Sequence, residues 1–204
     1  MTLNYTSPLF LALLSPFLLQ EPLKRTLLIA LIIGFIGVSL LLKPTLNSGN
    51  ALAGSLGLLS GLGAAWAYVH VKQLGQQNEP DTRTVFYFTL VSTVLAGLWM
   101  LMAPQLQRLD GMSSVLLGGF HHLNWQDMPL LIGLGATATV AQLAMTRAYR
   151  TGETLVVASL AYTTVVLASL FGVMWWGEQL SISDCLAIAL IVLSGLISLR
   201  SKPA

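Results

Sequence analysis

Polar side chains inside long apolar runs are where this sequence carries chemistry. Trp66 and His70 stand four residues apart in the run 52–71, so on a helix they share one face. A histidine there offers a hydrogen-bond donor and a group that titrates near neutral pH. The pair can line a substrate cavity; equally, Trp66 can pack helices while His70 sits at a membrane surface beside Lys72. Gln142 is the amide deep in the run 128–147, and Thr139 and Thr146 extend it into a polar stripe. An unpaired amide in lipid is costly, so a cavity or an interhelical hydrogen bond must satisfy it. Tyr5-Thr6-Ser7 and Tyr162-Thr163-Thr164 add two hydroxyl-rich steps. Both can face a cavity, or their hydroxyls can bond back to carbonyls of their own helix.

Other residues carry chemistry of a plainer kind. Glu21 and Glu178 fall at the ends of apolar runs and are read as charges holding tight turns, with Ser183 as the cap of the last helix. Arg147 and Arg150 have the forked donors that recognise anions, but basic residues at a membrane surface need no further role. His121, His122 and Asp127 are too weak a set to suggest a metal. Pro8 and Pro16 each remove a backbone donor and are expected to kink the first span. Gly57 and Gly61 with Ala65, and Gly133 with Thr137 and Ala141, have the spacing that lets helices cross closely. Trp99, Trp175 and Trp176 suit interfacial belts.

These residues need elements that hold them in lipid. The chain has 204 residues, of which 55% are hydrophobic and 9% charged. A soluble domain carries about 25% charged residues, so this composition excludes an ordinary water-soluble monomer, and it equally excludes disorder. A net charge of +2 excludes a nucleic-acid binder. Cys185 is the single cysteine, so an internal disulfide cannot form. A bilayer core of about 30 Å needs about 20 apolar residues per helix. Seven spans are predicted: 3–19, 26–42, 52–71, 85–103, 128–147, 154–176 and 184–199. The run Leu27-Leu28-Ile29-Ala30-Leu31-Ile32-Ile33 does not alternate, which excludes a transmembrane β-barrel. The first span has no preceding cation and no small-residue cleavage site, so it is expected to stay a membrane helix rather than act as a signal peptide.

With seven spans, one set of loops and ends holds Lys24, Arg25, Lys72, Arg83, Arg147, Arg150, Arg200 and Lys202. The other holds Lys43 and Arg108. The bias puts the C-terminus in the cytoplasm.

An internal repeat follows. Leu3-x-Tyr5-Thr6 recurs as Leu160-x-Tyr162-Thr163, and Glu21-Pro22-Leu23 as Glu178-Gln179-Leu180. Leu13 and Ala30 match Leu170 and Ala187 at the same offset, and Gly37 falls on Gly195 after a one-residue gap. The copies lie five helices apart, so the second enters the membrane inverted, an arrangement typical of secondary transporters. If five helices form the unit, the first copy shows only its last two.

The stretches Arg147-Ala148-Tyr149-Arg150-Thr151-Gly152, Ala161-Tyr162-Thr163 and Gly177-Glu178-Gln179-Leu180 closely resemble the EamA-type repeat of the drug/metabolite transporter superfamily. So do Tyr5-Thr6-Ser7-Pro8-Leu9-Phe10, Glu21-Pro22-Leu23 and Gly34-Phe35-Ile36-Gly37-Val38. The resemblance covers essentially the whole chain. It implies an all-α polytopic transmembrane helix bundle, seven spans of a ten-helix inverted-repeat (5+5) fold whose first three helices are missing here. The organisation implied is the last two helices of the first repeat over 1–44, an outer linker over 45–53 and a complete second repeat over 54–200. The implied function is secondary transport, as an exporter of small metabolites or drugs by alternating access, in a bacterial inner membrane. Tyr5, Ser7, Trp66, His70, Gln142, Tyr162 and Thr163 are the expected cavity residues. Glu21, Glu178, Gly37 and Gly195 are motif positions, and Gly57, Gly61 and Gly133 packing positions. No catalytic residue, cofactor or metal is implied. The partners are the lipid bilayer, a small-molecule substrate, and a second copy or a partner that supplies the missing helices. A transport-inactive fragment of the same family is the alternative. A seven-helix receptor is a weaker one: a retinal protein would need a lysine in the last span, and that span contains none. The G-x-x-x-x-G-K-[ST] pattern of an ATP-driven pump is absent.

Overall fold

The computed structural model describes residues 2–42, 51–106 and 124–201. His121 and His122, and most of the linker 45–53, lie outside the described residues. Among the described residues all regular structure is helical. A 3₁₀ turn over Thr2–Thr6 leads into α1 (Ser7–Leu18), followed by α2 (Arg25–Leu42), α3 (Ala51–Gln76) and α4 (Asp81–Leu106). A second 3₁₀ turn over Trp125–Asp127 leads into α5 (Met128–Thr151), then α6 (Thr154–Leu160), α7 (Thr163–Trp176) and α8 (Ile182–Arg200). Five stretches are long and apolar enough to cross a membrane: Arg25–Leu42, Asp81–Met102, Trp125–Thr151, Thr154–Trp176 and Ile182–Arg200. Of the two other predicted spans, α3 has the length, and the first turn with α1 reaches about 28 Å at ordinary helical rises. The chain is an all-helical, multi-pass membrane bundle.

Helix boundaries follow local chemistry. Pro8 sits at the start of α1, where a missing N–H leaves nothing unsatisfied; the expected kink there is instead a helix start. Pro16 lies within α1 and deprives the Ala12 carbonyl of its helical donor. The Ser15 hydroxyl donates to that oxygen at 3.4 Å. α8 is capped by Ser181, not Ser183. The Asp184 N–H donates to Ser181 Oγ at 3.3 Å, and the Ser181 N–H donates to Asp184 Oδ2 at 2.9 Å, a reciprocal capping box.

The chain folds as two units. One holds Met1–Gln77 with Ala148–Ala204, and the other is Asn78–Arg147. In the first unit the core is built from Ala12 on α1, Leu27, Leu31 and Val38 on α2, Leu155 on α6, Tyr162 before α7, and Ile191 on α8. In the second unit α4 and α5 carry apolar side chains that are mostly exposed, among them Phe86, Leu95, Leu101, Leu130 and Ile132. Such surface is stable only where lipid or other helices replace water.

Candidate functional site

The repeat read in the sequence is a repeat of structure. Adding 157 to the bounds of α2 gives 182–199, against Ile182–Arg200 for α8. The same shift takes α1 to 164–175, against Thr163–Trp176 for α7. The ends agree too. Gln20 (φ 57°) and Gly177 (φ 65°), 157 apart, both take the left-handed conformation after their helices. At Gly177 this lets the Glu178 N–H reach the Gly172 carbonyl at 3.3 Å, a common helix stop.

α2 and α8 cross at the centre of the first unit. Ser194 Oγ donates to the Ala30 carbonyl at 2.7 Å. A Cβ added to Gly37 would lie 2.9 Å from the Ala187 carbonyl and 2.8 Å from Ile191 Cγ1. Early α2 thus meets late α8 and late α2 meets early α8, so the helices are antiparallel. The contacts also exchange under the 157 shift: Ala30 with Ser194 maps onto Ala187 with Gly37. The crossing is locally two-fold, as an inverted repeat requires. Its register is ungapped, so Gly37 corresponds to Ser194 rather than to Gly195. Gly195 is buried, but the nearest atom an added Cβ would meet there is Leu160 Cδ2 at 3.7 Å, an ordinary contact.

Both copies enter the α-helix through three-residue geometry near the same step. In the first, 3₁₀ geometry over Thr2–Thr6 changes to α at Ser7, because Pro8 cannot donate to the Asn4 carbonyl. In the second, α6 stops at Leu160 and α7 starts at Thr163. Across that gap the Tyr162 N–H bonds to the Ser159 carbonyl at 3.3 Å and Thr164 N–H to the Ala161 carbonyl at 3.2 Å, both three-residue steps. Thr164 Oγ1 also donates to the Ala161 carbonyl at 2.7 Å. A short 3₁₀ step inside a long helix is a recognised hinge, and broken helices carry transporter sites.

Tyr5 and Tyr162 stand at these two breaks. Tyr162 is wholly buried, with its ring against Gly34, and its hydroxyl has no hydrogen-bond partner among the described residues. Tyr5 is half-buried and packs on the same core. Ser7 is buried, whereas Thr163 is exposed.

Trp66 and His70 are both exposed on α3, with ring centroids 5.6 Å apart. His70 Nδ1 is 3.0 Å from Gln73 Oε1, and Gln73 Nε2 donates to the Leu18 carbonyl at 3.2 Å. The pair therefore sits where α3 is tied to the end of α1. Gly61 is buried and Gly57 half-buried on α3, which packs along α1. Gln142 and Gly133 belong to the other unit. Gln142 is half-buried. Gly133 is exposed, with open space where a Cβ would stand. Thr139 Oγ1 bonds back to the Gly135 carbonyl at 2.7 Å, so its hydroxyl is satisfied within its own helix.

The two motif glutamates differ. Glu21 pairs with Lys72 Nζ at 3.5 Å, and the same ammonium donates to the Gly152 carbonyl at 2.7 Å. Lys24 pairs with Glu153 at 3.1 Å beside it. Glu178 lies exposed near Gly172 and makes no ion pair among the described residues. Sequence reading missed Lys72, Gly34 and Ser194. The face Ala30-x-x-x-Gly34-x-x-Gly37 was the available signal for the last two, since small residues at that spacing mark close crossings. Nothing local in the sequence singles out Lys72.

Apolar helices, with α2 and α8 crossing antiparallel through contacts that exchange under the repeat shift, make this a multi-pass helical membrane protein built on an inverted repeat. Residues 51–200 match the EamA-like transporter family, and the chain belongs to that family. A Helicobacter pylori protein named an uncharacterized transporter is 30% identical over 192 residues, 94% of this chain and 61% of its own. A pseudopaline exporter of Pseudomonas aeruginosa is 29% identical over 203 residues, 98% of this chain and 65% of its own. A riboflavin transporter of Vibrio cholerae is 29% identical over 193 residues, 93% of this chain and 58% of its own. The chain spans about three-fifths of the length of these curated relatives.

Proposed function

We propose that the chain forms the larger part of a secondary transporter that exports small organic molecules by alternating access between inverted repeats. The observation that carries this is the α2–α8 crossing, whose contacts exchange under the repeat shift and so give two arrangements of similar energy about one axis. The relatives named as a pseudopaline exporter and a riboflavin transporter favour small, polar organic cargo. Tyr5, Ser7, Tyr162 and Thr163 line the path at the two helix breaks. Trp66 and His70 line it elsewhere, and Gly57 and Gly61 form a sliding seam. The chain has no catalytic role and takes no cofactor.

The membrane is a bacterial inner membrane, with the C-terminus and the Lys- and Arg-bearing loops in the cytoplasm. Helices beyond those described here complete the cavity, from the same polypeptide, a second copy or a partner. The test is efflux of a panel of fluorescent small molecules from cells expressing the chain alone and together with a segment supplying three further helices. Flux only in the second case makes the isolated chain a transport-inactive part. Flux in neither overturns the proposal.

A further inference from the structure

This inference deepens the transport reading and rests on it. We infer that Lys72 is the pin of a gate that shuts the Lys-rich end of the bundle. Three separate segments converge on it: the α1–α2 connection with Glu21 and Lys24, the end of α3 with Lys72, and the α5–α6 turn with Gly152 and Glu153. All three lie in one folded unit.

Lys72 is 9% exposed. A lysine buried in an apolar bundle is held there by its partners, because taking the ammonium out of water is costly. Its partners belong to two different connections, one from each repeat copy. Moving either connection outward strips Lys72 of a charge-assisted bond. Next to Glu153, Thr154 is wholly buried and its hydroxyl lacks a partner among the described residues, as does Glu21 Oε2. Both atoms are satisfied once the end opens and water enters. At the opposite end, Glu178 has the same motif position as Glu21 and no ion pair among the described residues. One end is latched and the other is not, the asymmetry alternating access needs.

Thr154→Cys in a Cys185→Ser background reports the latch. Purified protein in lipid vesicles is treated with a membrane-impermeant maleimide, and the labelling rate at position 154 is followed. The cysteine stays protected with Lys72 present. Lys72→Met raises its rate at least about tenfold, the ratio expected when a charge-assisted bond holding a local opening shut is lost. Lys72→Arg, which keeps charge and donors, stays protected. Should Lys72→Met fail to fold, Glu21→Gln with Glu153→Gln removes both ion pairs, leaves Lys72 in place and gives a smaller rise. Unchanged labelling in both variants, or equal opening in Lys72→Arg, overturns the gate. Substrate flux in the same vesicles is scored separately. Labelling as expected without flux, even after a segment supplying three further helices is added, keeps the latch and removes the transport reading.

Discussion

The first repeat copy, α1 with α2, and the second, α7 with α8, share helix boundaries but not surroundings. Ser7 and Leu11 on α1 are buried, while their counterparts Thr164 and Ala168 on α7 are exposed. The difference is cover: α3 packs along α1, and among the described residues no helix does the same for α7. Gly34 admits the Tyr162 ring, whereas the matching position at the other break is Ile191, so Tyr162 is buried and Tyr5 only half so. Glu21 meets a lysine and Glu178 does not. Local sequence sets where each helix starts and stops; the environment of the finished helix depends on segments far away in the chain.

The comparison breaks most sharply at the crossing. Gly37→Leu forces a side chain against the Ala187 carbonyl, which cannot move without its helix. The variant is expected to lose about 3 kcal/mol or more, seen as a collapsed thermal midpoint on size-exclusion chromatography in detergent. Gly195→Ala, with its nearest contact at 3.7 Å, changes that midpoint little. Equal damage from both would return the repeat to its gapped register.

Glu21→Gln and Glu178→Gln test the two ends. Losing the Lys72 partner at a mostly buried pair is expected to cost about 1–3 kcal/mol, while the exposed Glu178 change stays within about 0.5 kcal/mol. Denaturation in mixed detergent micelles reads both. A larger effect at Glu178 would mean that the end without an ion pair here is the more tightly held one.

Ser194→Ala removes one interhelical hydrogen bond and is expected to cost about 1 kcal/mol. Gln20→Gly relieves a left-handed residue at the turn where the other copy already has Gly177. A gain of up to about 1 kcal/mol is expected, and a loss would show that the Gln20 side chain matters more than its backbone. Gly133→Ala, which meets nothing within 4 Å, gains up to about 1 kcal/mol from helix propensity. Destabilisation there would reveal a helix seated against α5.

Much of the fold was legible in advance because its signals are short in range. Apolar run length fixed the spans, and the pattern Glu21-Pro22-Leu23 with Glu178-Gln179-Leu180 fixed the repeat, whereas Pro8, expected to kink the first span, starts α1 instead. Reading went astray where partners are distant in the chain. Ser183 was expected to cap the last helix, but the Asp184 carboxylate pairs with Ser181 instead. Gly37 was aligned to Gly195 by letter, while packing pairs it with Ser194. Lys72 resembled an ordinary basic residue at a membrane surface, because its partners Glu21 and Gly152 lie 51 and 80 positions away.

By itself the sequence determined that this chain is a helical membrane protein, roughly where its spans lie and that two of them repeat inverted. Hydropathy, proline geometry and turn chemistry act over a few residues and are written locally. Only the tertiary structure decided that Ala30 faces Ser194, that Tyr162 lies buried against Gly34 and that Lys72 meets Glu21 and the Gly152 carbonyl. Those outcomes depend on close approach between helices from opposite ends of the chain, which no local pattern encodes.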